Sequence, residues 1–322
     1  MNNTKKLTEA GLLSALFIVG TIVAVGSGFG YTIYLDFVVP VFFCIVCIKC
    51  DFKYSVLSGI SSLIIVGLIL GNIGTAIWAS QSVILGIMCG SLVLKETTIM
   101  DDLVYASILG VIVMVFIDVY ASKLIGYSFM KEFQGYTKVF PYKEYVDVVY
   151  YLFIALFPFG TVFSIYFLSL ILSKKLNILK GNGKKKLQII SNFRSFSRFL
   201  CCSKYVFYGC IFYICIMEIL SLLKINLGWV YLKTILISIK YLCLYFVIKD
   251  GYTAFQNYLL SKYQKVSYIR ISSVITLILL IFTFKITTLL IIIFNIILDA
   301  KLNIRTKQIS IINNYINSLS SK

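Results

Sequence analysis

The stretch Thr8–Gly28, TEAGLLSALFIVGTIVAVGSG, holds 21 residues and a single charged side chain, Glu9. A helix needs about 20 apolar residues to cross the hydrocarbon core of a bilayer, so this stretch predicts a transmembrane helix. It follows Lys5 and Lys6 and has no convincing small-residue cleavage site. We therefore predict a helix that is retained in the protein and not a cleaved signal peptide.

The whole chain has the same apolar character. Of its 322 residues, 60% are hydrophobic and 13% are charged, and the mean hydropathy is +0.93. Soluble domains carry about 25% charged residues, which cover their surface. The composition excludes a soluble enzyme, a disordered chain and a coiled coil. It predicts an all-α fold, a polytopic transmembrane helical bundle.

Eight further apolar segments predict the other helices: Tyr31–Ile48, Tyr54–Leu70, Ile73–Leu94, Leu103–Ser122, Val146–Leu172, Tyr205–Leu223, Trp229–Tyr263 and Tyr268–Leu298. The segment from Trp229 is too long for one straight span and is interrupted by Lys249, Asp250 and Gly251. The last segment either tilts strongly or forms a tight hairpin that breaks near Lys285. We expect eight to ten spans in total.

Charge between the spans predicts the topology. The segment Ser173–Lys204 contains nine Lys and Arg residues and no acid, so the positive-inside rule places it in the cytoplasm. Six preceding spans then place the N-terminus in the cytoplasm too, in a bacterial cytoplasmic membrane. We predict a six-span unit over 1–173, a basic cytoplasmic linker over 174–204, and a smaller C-terminal membrane unit with a basic tail over 205–322.

The residue inventory limits the chemistry. The chain has no histidine, which excludes Ser-His-Asp and Cys-His nucleophile systems and sites that depend on histidine ligands. Cys44, Cys47 and Cys50 form a C-x-x-C-x-x-C run with no evident fourth thiol, and we interpret them as small hydrophobic residues in a buried helix. We predict no catalytic residue, no metal site and no cofactor. The +17 charge lies between apolar segments, so we also predict no nucleic-acid partner.

Three segments carry a resemblance to a known family. The opening KLTEAGLLSAL (Lys6–Leu16) resembles the start of the YybS-like family of bacterial membrane proteins. The step Lys249-Asp250-Gly251 stands where that family often has Gln-Gly, and the ending NIILDAKLNIR (Asn295–Arg305) resembles its Gly-Leu-Leu-Asp…Phe-Arg pattern with the glycine and aromatic residues replaced. The resemblance implies a multi-pass membrane protein and no specific activity.

The first six spans are also similar to the S components of energy-coupling-factor importers. Those proteins bind a vitamin or a metal ion, and small residues of their first helix dock onto a transmembrane coupling subunit that works with two ATPases. Two pairs here have small residues at i and i+4, which lets helices approach closely: Ala10 with Ser14, and Gly11 with Ala15. The resemblance implies partner docking through these residues. The alternative is that the pairs pack the first helix within this chain.

Six polar residues of the first unit are predicted to cluster toward the outer side, where an importer's solute would enter: Asp36, Asn72, Thr75, Gln81, Asp118 and Tyr120. A few polar groups on an apolar wall are the expected form of a solute-binding site. A charge at the bilayer centre costs about 2.5–3.5 kcal/mol, so each intramembrane polar residue needs an explanation. The alternative explanation is ordinary hydrogen bonding between helices.

In the C-terminal unit, Glu218 is predicted to pair with Lys233 or Lys240, which are seven residues apart on one helix face. The pair either fixes a hairpin or serves proton coupling or lipid headgroup binding.

Together these observations predict a non-enzymatic, solute-binding transporter subunit that depends on separate coupling and ATPase chains. The alternative is a membrane scaffold or envelope-regulatory protein whose basic segment recruits lipid or a partner. An intramembrane enzyme acting on lipid is the least favoured class, since histidine-free chemistry leaves few routes.

Overall fold

A computed structural model describes residues 3–28, 33–126, 128–138, 146–223 and 229–320. Within these ranges the chain forms α-helices and no strand. The helices are α1 (Asn3–Ser27), α2 (Val39–Leu70, preceded by a π-helical turn at Tyr34–Val38), α3 (Ile73–Leu94), α4 (Ile99–Ile125), α5 (Phe129–Lys138), α6 (Val146–Lys175), α7 (Asn182–Ser191), α8 (Phe193–Phe196), α9 (Lys204–Leu222), α10 (Val230–Tyr263), α11 (Val266–Phe282), α12 (Phe284–Leu302) and α13 (Ile304–Ser320). The predicted all-α helical bundle is confirmed.

Six helices of the described part are long and apolar enough to cross a bilayer: α1, α3, α4, α6, α9 and α10. The pair formed by α12 and α13, which is bent by 67°, gives a seventh if it counts as one span. The number of crossings expected from the sequence, eight to ten, is larger because it also includes the two arms of α2 and a hairpin in the C-terminal region.

Helix α2 is a helical hairpin, because its backbone leaves the helical region at Asp51 (φ 71°, ψ 163°). Both arms lie against α1. The Phe17 and Phe43 rings are 5.0 Å apart at their centroids, and the Ser14 hydroxyl donates to the Ser62 hydroxyl at 3.1 Å. The two arms match the predicted segments Tyr31–Ile48 and Tyr54–Leu70, apart from residues 31 and 32, which lie outside the described residues.

Close approach between α2 and α3 depends on glycine. A Cβ on Gly86 would overlap the Pro40 carbonyl oxygen, and a Cβ on Gly90 would lie 2.6 Å from the Cys47 Cβ. The core beside this contact contains Phe17, Phe43 and further apolar residues, among them Leu35, Val66 and Val83. The cysteine run therefore faces a packed helix interface, and Cys44, Cys47 and Cys50 are all buried.

The expected interruption at Lys249-Asp250-Gly251 is wrong, since α10 continues through all three residues. The charges do not break the helix because each has a partner: Lys249 Nζ donates to the Leu200 carbonyl, and Asp250 accepts from Cys202 N at 2.7 Å. Gly251 permits close packing, because a Cβ there would overlap Ile291.

The last apolar segment is a hairpin that breaks at Thr283, two residues from Lys285. Ser273 in α11 bonds the Tyr252 hydroxyl, and Ile291 in α12 lies against Gly251. Eighteen residues of straight helix would separate Ser273 and Ile291 by about 27 Å, too far for both to reach adjacent residues of α10. The hairpin alternative therefore describes this segment.

Contacts divide the chain into two compact units. The first unit comprises Met1–Thr97, Asp102–Leu187 and Asn226–Leu242, and the second comprises Thr98–Asp101, Gln188–Ile225 and Cys243–Lys322. The first unit thus includes the six predicted N-terminal spans together with part of α10. The predicted linker over 174–204 contains the short helices α7 and α8.

Candidate functional site

The first unit contains a buried cluster of charges around Asp102. Its carboxylate is fully buried, and Lys186 is only 4% exposed. Asp102 Oδ2 accepts from Lys186 Nζ at 2.7 Å and from the Tyr166 hydroxyl at 2.6 Å, while the Thr97 hydroxyl donates to Oδ1. A buried ion pair is tolerated when hydrogen bonds also satisfy both partners, and this carboxylate meets that condition.

Lys186 also anchors α7 to the C-terminal end of α3. Its ammonium group donates to the Leu92 carbonyl at 2.7 Å, and Asn182 Nδ2 donates to the Leu94 carbonyl at 3.2 Å. The last carbonyls of a helix have no partner within the helix, so side chains that reach them stabilise its end. The first part of the basic segment is thus held against the helical bundle.

The second unit contains a buried pair of opposite charge, Asp250 and Arg305. Arg305 Nη1 lies 3.1 Å from Asp250 Oδ2 and donates to the Cys202 carbonyl at 2.8 Å. The guanidinium also lies over the Phe207 ring, with 3.9 Å between Cζ and the ring centroid. Cation–π contact of this kind adds to the stability of a desolvated cation. The pair joins α10 to α13 and to the backbone before α9.

Four buried polar atoms near this pair have no hydrogen-bond partner within the described residues: Asn295 Nδ2, Asp299 Oδ2, Arg305 Nε and Gln308 Nε2. Asn295 and Asp299 are one turn apart on α12, and Arg305 and Gln308 share a face of α13. A buried polar atom without a partner is costly, and such atoms mark places where a water or a polar ligand binds. This polar cluster is the candidate site of the second unit.

Two of the three segments singled out in the sequence, Lys249–Gly251 and Asn295–Arg305, meet in this cluster. Asp250 pairs with Arg305, and a Cβ on Gly251 would lie 3.4 Å from Asn295 Nδ2. Lys249-Asp250-Gly251 and Asn295–Arg305 were separated in the sequence by more than forty residues. Their convergence gives those residues a shared structural role.

Two predicted solute-binding residues form a helix cap. Asn72 is the N-cap of α3, and its Oδ1 accepts from Thr75 N at 3.4 Å, while the Thr75 hydroxyl donates to the Asn72 carbonyl at 2.7 Å. These two bonds, both donated by Thr75, account for both residues by local structure. Gln81, two turns further along α3, is half-buried, and its Oε1 is buried without a partner in the described part of the chain.

The other three predicted solute-binding residues lie in different surroundings. Asp118 is buried and accepts from the Ser128 hydroxyl at 2.9 Å, and Ser128 in turn accepts from Lys131 N at the start of α5. Tyr120 is 65% exposed and packs its ring against Phe116. Asp36 is half-buried in the π-helical turn. The structure therefore brings Asn72 and Thr75 into direct contact, and a shared solute site for all six stays a prediction.

The predicted docking residues divide into two pairs on different faces of α1. Ala10 and Ser14 are buried against α2, where the Ser58 hydroxyl donates to the Ala10 carbonyl at 3.3 Å. Gly11 and Ala15 are exposed, and a Cβ on Gly11 would have no neighbour within 4 Å. The first pair thus packs the helix within this chain, and the second pair faces outward.

The predicted ion pair of the C-terminal region stays a prediction. Glu218 lies exposed on α9, and Lys233 and Lys240 lie on α10, the first exposed and the second half-buried.

Cysteine chemistry is restrained by burial. Burial raises the pKa of the Cys201 thiol to about 12, with a further contribution from the Asp250 carboxylate. The same causes raise the pKa of Cys202 well above its usual value. A thiol that stays protonated is a poor nucleophile and a poor metal ligand. Within the described ranges, no three Cys, Asp or Glu side chains are arranged to hold a metal ion.

The four charged residues at the centres of these clusters were not among the predicted site residues. Lys186 stands in a run of three lysines and Asp102 follows another aspartate, so neither residue stands out by sequence. Asp250 and Arg305 stand in two segments singled out in the sequence, Lys249–Gly251 and Asn295–Arg305, but the sequence assigned neither residue a role.

The chain matches no protein-family model, no curated protein and no solved structure. No family is therefore shown for it, and its activity is proposed from the geometry above.

Proposed function

We propose that this chain is a non-enzymatic, solute-binding subunit of a bacterial transporter, similar to the S components of energy-coupling-factor importers. It would lie in the cytoplasmic membrane with its N-terminus inside, and separate coupling and ATPase chains would energise it. The observation that carries the proposal is the outward face of α1. Gly11 and Ala15 form an open, small-residue surface there, while the face that contains Ala10 and Ser14 already packs on α2.

Small residues favour helix association in membranes because backbones can approach closely. Gly11 and Ala15 lie among exposed apolar side chains, including Leu12 and Leu16, so a docked helix would meet a continuous apolar surface. A partner helix seated there would bury a face that this chain leaves to lipid.

Purification of the tagged protein from its own membranes, followed by native mass spectrometry, tests the proposal. We expect a coupling subunit and ATPases to co-purify, and we expect Gly11→Leu with Ala15→Leu to abolish that association. Gly26→Leu is the matched control, because Gly26 lies on the same helix and is equally open. A wild-type protein that purifies without such partners, or leucine variants that keep them, would overturn the proposal.

The solute-binding part has its own test at Gln81. Its buried Oε1 has no partner in the described part of the chain, so a bound solute that donates a hydrogen bond would satisfy it. We expect Gln81→Leu to remove a bound small molecule detected by mass spectrometry while the thermal unfolding midpoint is kept or raised. Unchanged solute content would contradict this assignment.

The second candidate, a scaffold or envelope-regulatory protein without a solute, is favoured by one observation. The Asn72–Thr75 cap and the Asp118–Ser128 bond account for half of the predicted solute-binding residues by local structure. Absence of any bound small molecule, together with association that depends on the basic segment, would support it over the transporter subunit.

A further inference from the structure

Five exposed lysines lie within twelve residues of sequence, between the last turn of α6 and the start of α7: Lys174, Lys175, Lys180, Lys184 and Lys185. None of the five has an ion-pair partner within the described residues. No acidic residue occurs between 174 and 204. These five residues, here called the lysine surface, form a concentrated and uncompensated positive charge.

The lysine surface is held in place and is not part of a free linker. Lys186 and Asn182 anchor α7 to the Leu92 and Leu94 carbonyls of α3, and Gly183 packs where a Cβ would lie 2.8 Å from Leu179. Lys184 and Lys185 precede the buried Lys186 directly and are fixed by the same helix. An arrangement fixed before binding loses less conformational entropy when a ligand arrives.

The position of the lysine surface relative to the bilayer follows from where helix α6 ends. Lys174 and Lys175 occupy the last turn of this membrane-spanning helix, so they lie where the helix leaves the hydrocarbon. Phosphate groups of the lipids lie at that depth. Lysine side chains near an anionic bilayer surface are each attracted to it, and clusters of them recognise anionic headgroups.

We propose that the lysine surface binds the phosphate group of an anionic phospholipid, with Lys184 and Lys185 as contacts and Lys186 as a positioning residue. The proposal is independent of the transporter assignment, because it rests on the charge and anchoring of α7. It differs from general attraction to a charged membrane in that a fixed set of lysines provides the site.

Lipid titration of the full-length protein in detergent, followed by native mass spectrometry at constant ionic strength, tests it. We expect short-chain phosphatidylglycerol to bind at least tenfold more tightly than phosphatidylcholine. The triple variant Lys180→Gln, Lys184→Gln, Lys185→Gln should lose that preference at least tenfold and keep its unfolding midpoint. The control triple variant Lys262→Gln, Lys301→Gln, Lys307→Gln removes the same charge from exposed lysines of the second unit and should change the preference less than twofold.

Equal losses in the two triple variants would show general charge attraction and overturn the proposal. Inorganic phosphate that binds as tightly as phosphatidylglycerol at the same ionic strength would assign the site to a free anion, which also overturns it. As the positioning test, Asn182→Ala removes one anchor and no charge. We expect it to weaken the phosphatidylglycerol preference severalfold, and an unchanged preference would remove the role assigned to anchoring.

Discussion

Asp102 and Lys186 illustrate how a lipid-embedded fold accommodates a full charge. Both are almost completely buried, and both are surrounded by donors and acceptors from α3, α4 and α6. Replacing one member of a buried ion pair leaves an uncompensated charge, which lowers the free energy of unfolding by about 3–5 kcal/mol. Replacing both members by apolar residues removes the charges together. The two kinds of substitution are therefore expected to differ strongly.

We expect Asp102→Asn to lower the free energy of unfolding by about 3 kcal/mol, since Lys186 then stays buried without its counter-charge. The double variant Asp102→Leu with Lys186→Met should lose less than the sum of its single variants. Unfolding in a denaturing detergent titration measures these values. Lys185→Met, next in sequence and exposed, is the control and should stay within about 0.5 kcal/mol of the wild type. Additive single and double losses would contradict the ion pair.

Cys201 gives a prediction that depends on pH. Its pKa is raised from 9.0 to about 12 because burial disfavours the thiolate. At pH 8 the folded protein thus holds about a thousandfold less thiolate at this site than the unfolded chain, and thiolate is the species that reacts. We expect maleimide labelling of Cys201 in the folded protein to be slower by about that factor and to rise tenfold per pH unit below 12.

The same shift has a consequence for stability. The folded state favours the protonated thiol, so the contribution of Cys201 to the free energy of unfolding depends on pH. This contribution is present in full below pH 9 and is lost as the pH rises from 9 toward 12. Labelling of the protein unfolded in detergent is the reference, and Cys201→Ala identifies the labelled site by mass. Equal labelling rates in the folded and unfolded protein would show that Cys201 is not protected.

At the level of helices, the approach of α3 to α2 depends on the absence of a side chain. A Cβ on Gly86 would overlap the carbonyl of Pro40, and backbone atoms cannot rotate away as a side chain can. We expect Gly86→Ala to destabilise the protein by about 1–3 kcal/mol through overpacking. Gly160→Ala is the control, because a Cβ there has no neighbour within 4 Å and alanine favours a helix. Thermal unfolding of both variants tests this, and equal midpoints would contradict it.

Apolar length predicts helices well because the cost of exposing polar groups to lipid acts on every residue of a span. Ile73–Leu94 was predicted with the bounds of α3, and the break near Lys285 lies two residues from the observed one. The interruption expected at Asp250 failed for a physical reason. A charge is tolerated within an apolar helix when it has partners. The partners of Asp250 are Cys202 and Arg305, which are far away in sequence.

Over the whole molecule, the same reasoning explains which candidate residues sequence could find. Polar residues isolated in apolar segments, such as Gln81 and Asp118, are visible one at a time. A cluster such as that of Asn295, Asp299 and Gln308 appears only when α12 and α13 are placed next to each other. For small-residue pairs, the sequence reveals the spacing but not which pair is exposed. Spacing identified Ala10 and Gly11 alike, and only the packed structure shows which of them faces outward.

The orientation of the bundle is the prediction on which the solute entrance and the cytoplasmic lysine surface both depend. Gly135 on α5 is exposed between the predicted fifth and sixth spans, and Lys180 is exposed after the sixth. In a Cys215→Ser background, we expect Gly135→Cys to react with a membrane-impermeant maleimide on intact cells, and Lys180→Cys to react only after permeabilisation. The positive-inside rule requires this result, because the segment that holds Lys180 carries nine cations and no acid. The reverse pattern would place the lysine surface outside and Asp36, Asn72 and Asp118 at the cytoplasmic end, where an imported solute leaves and does not enter.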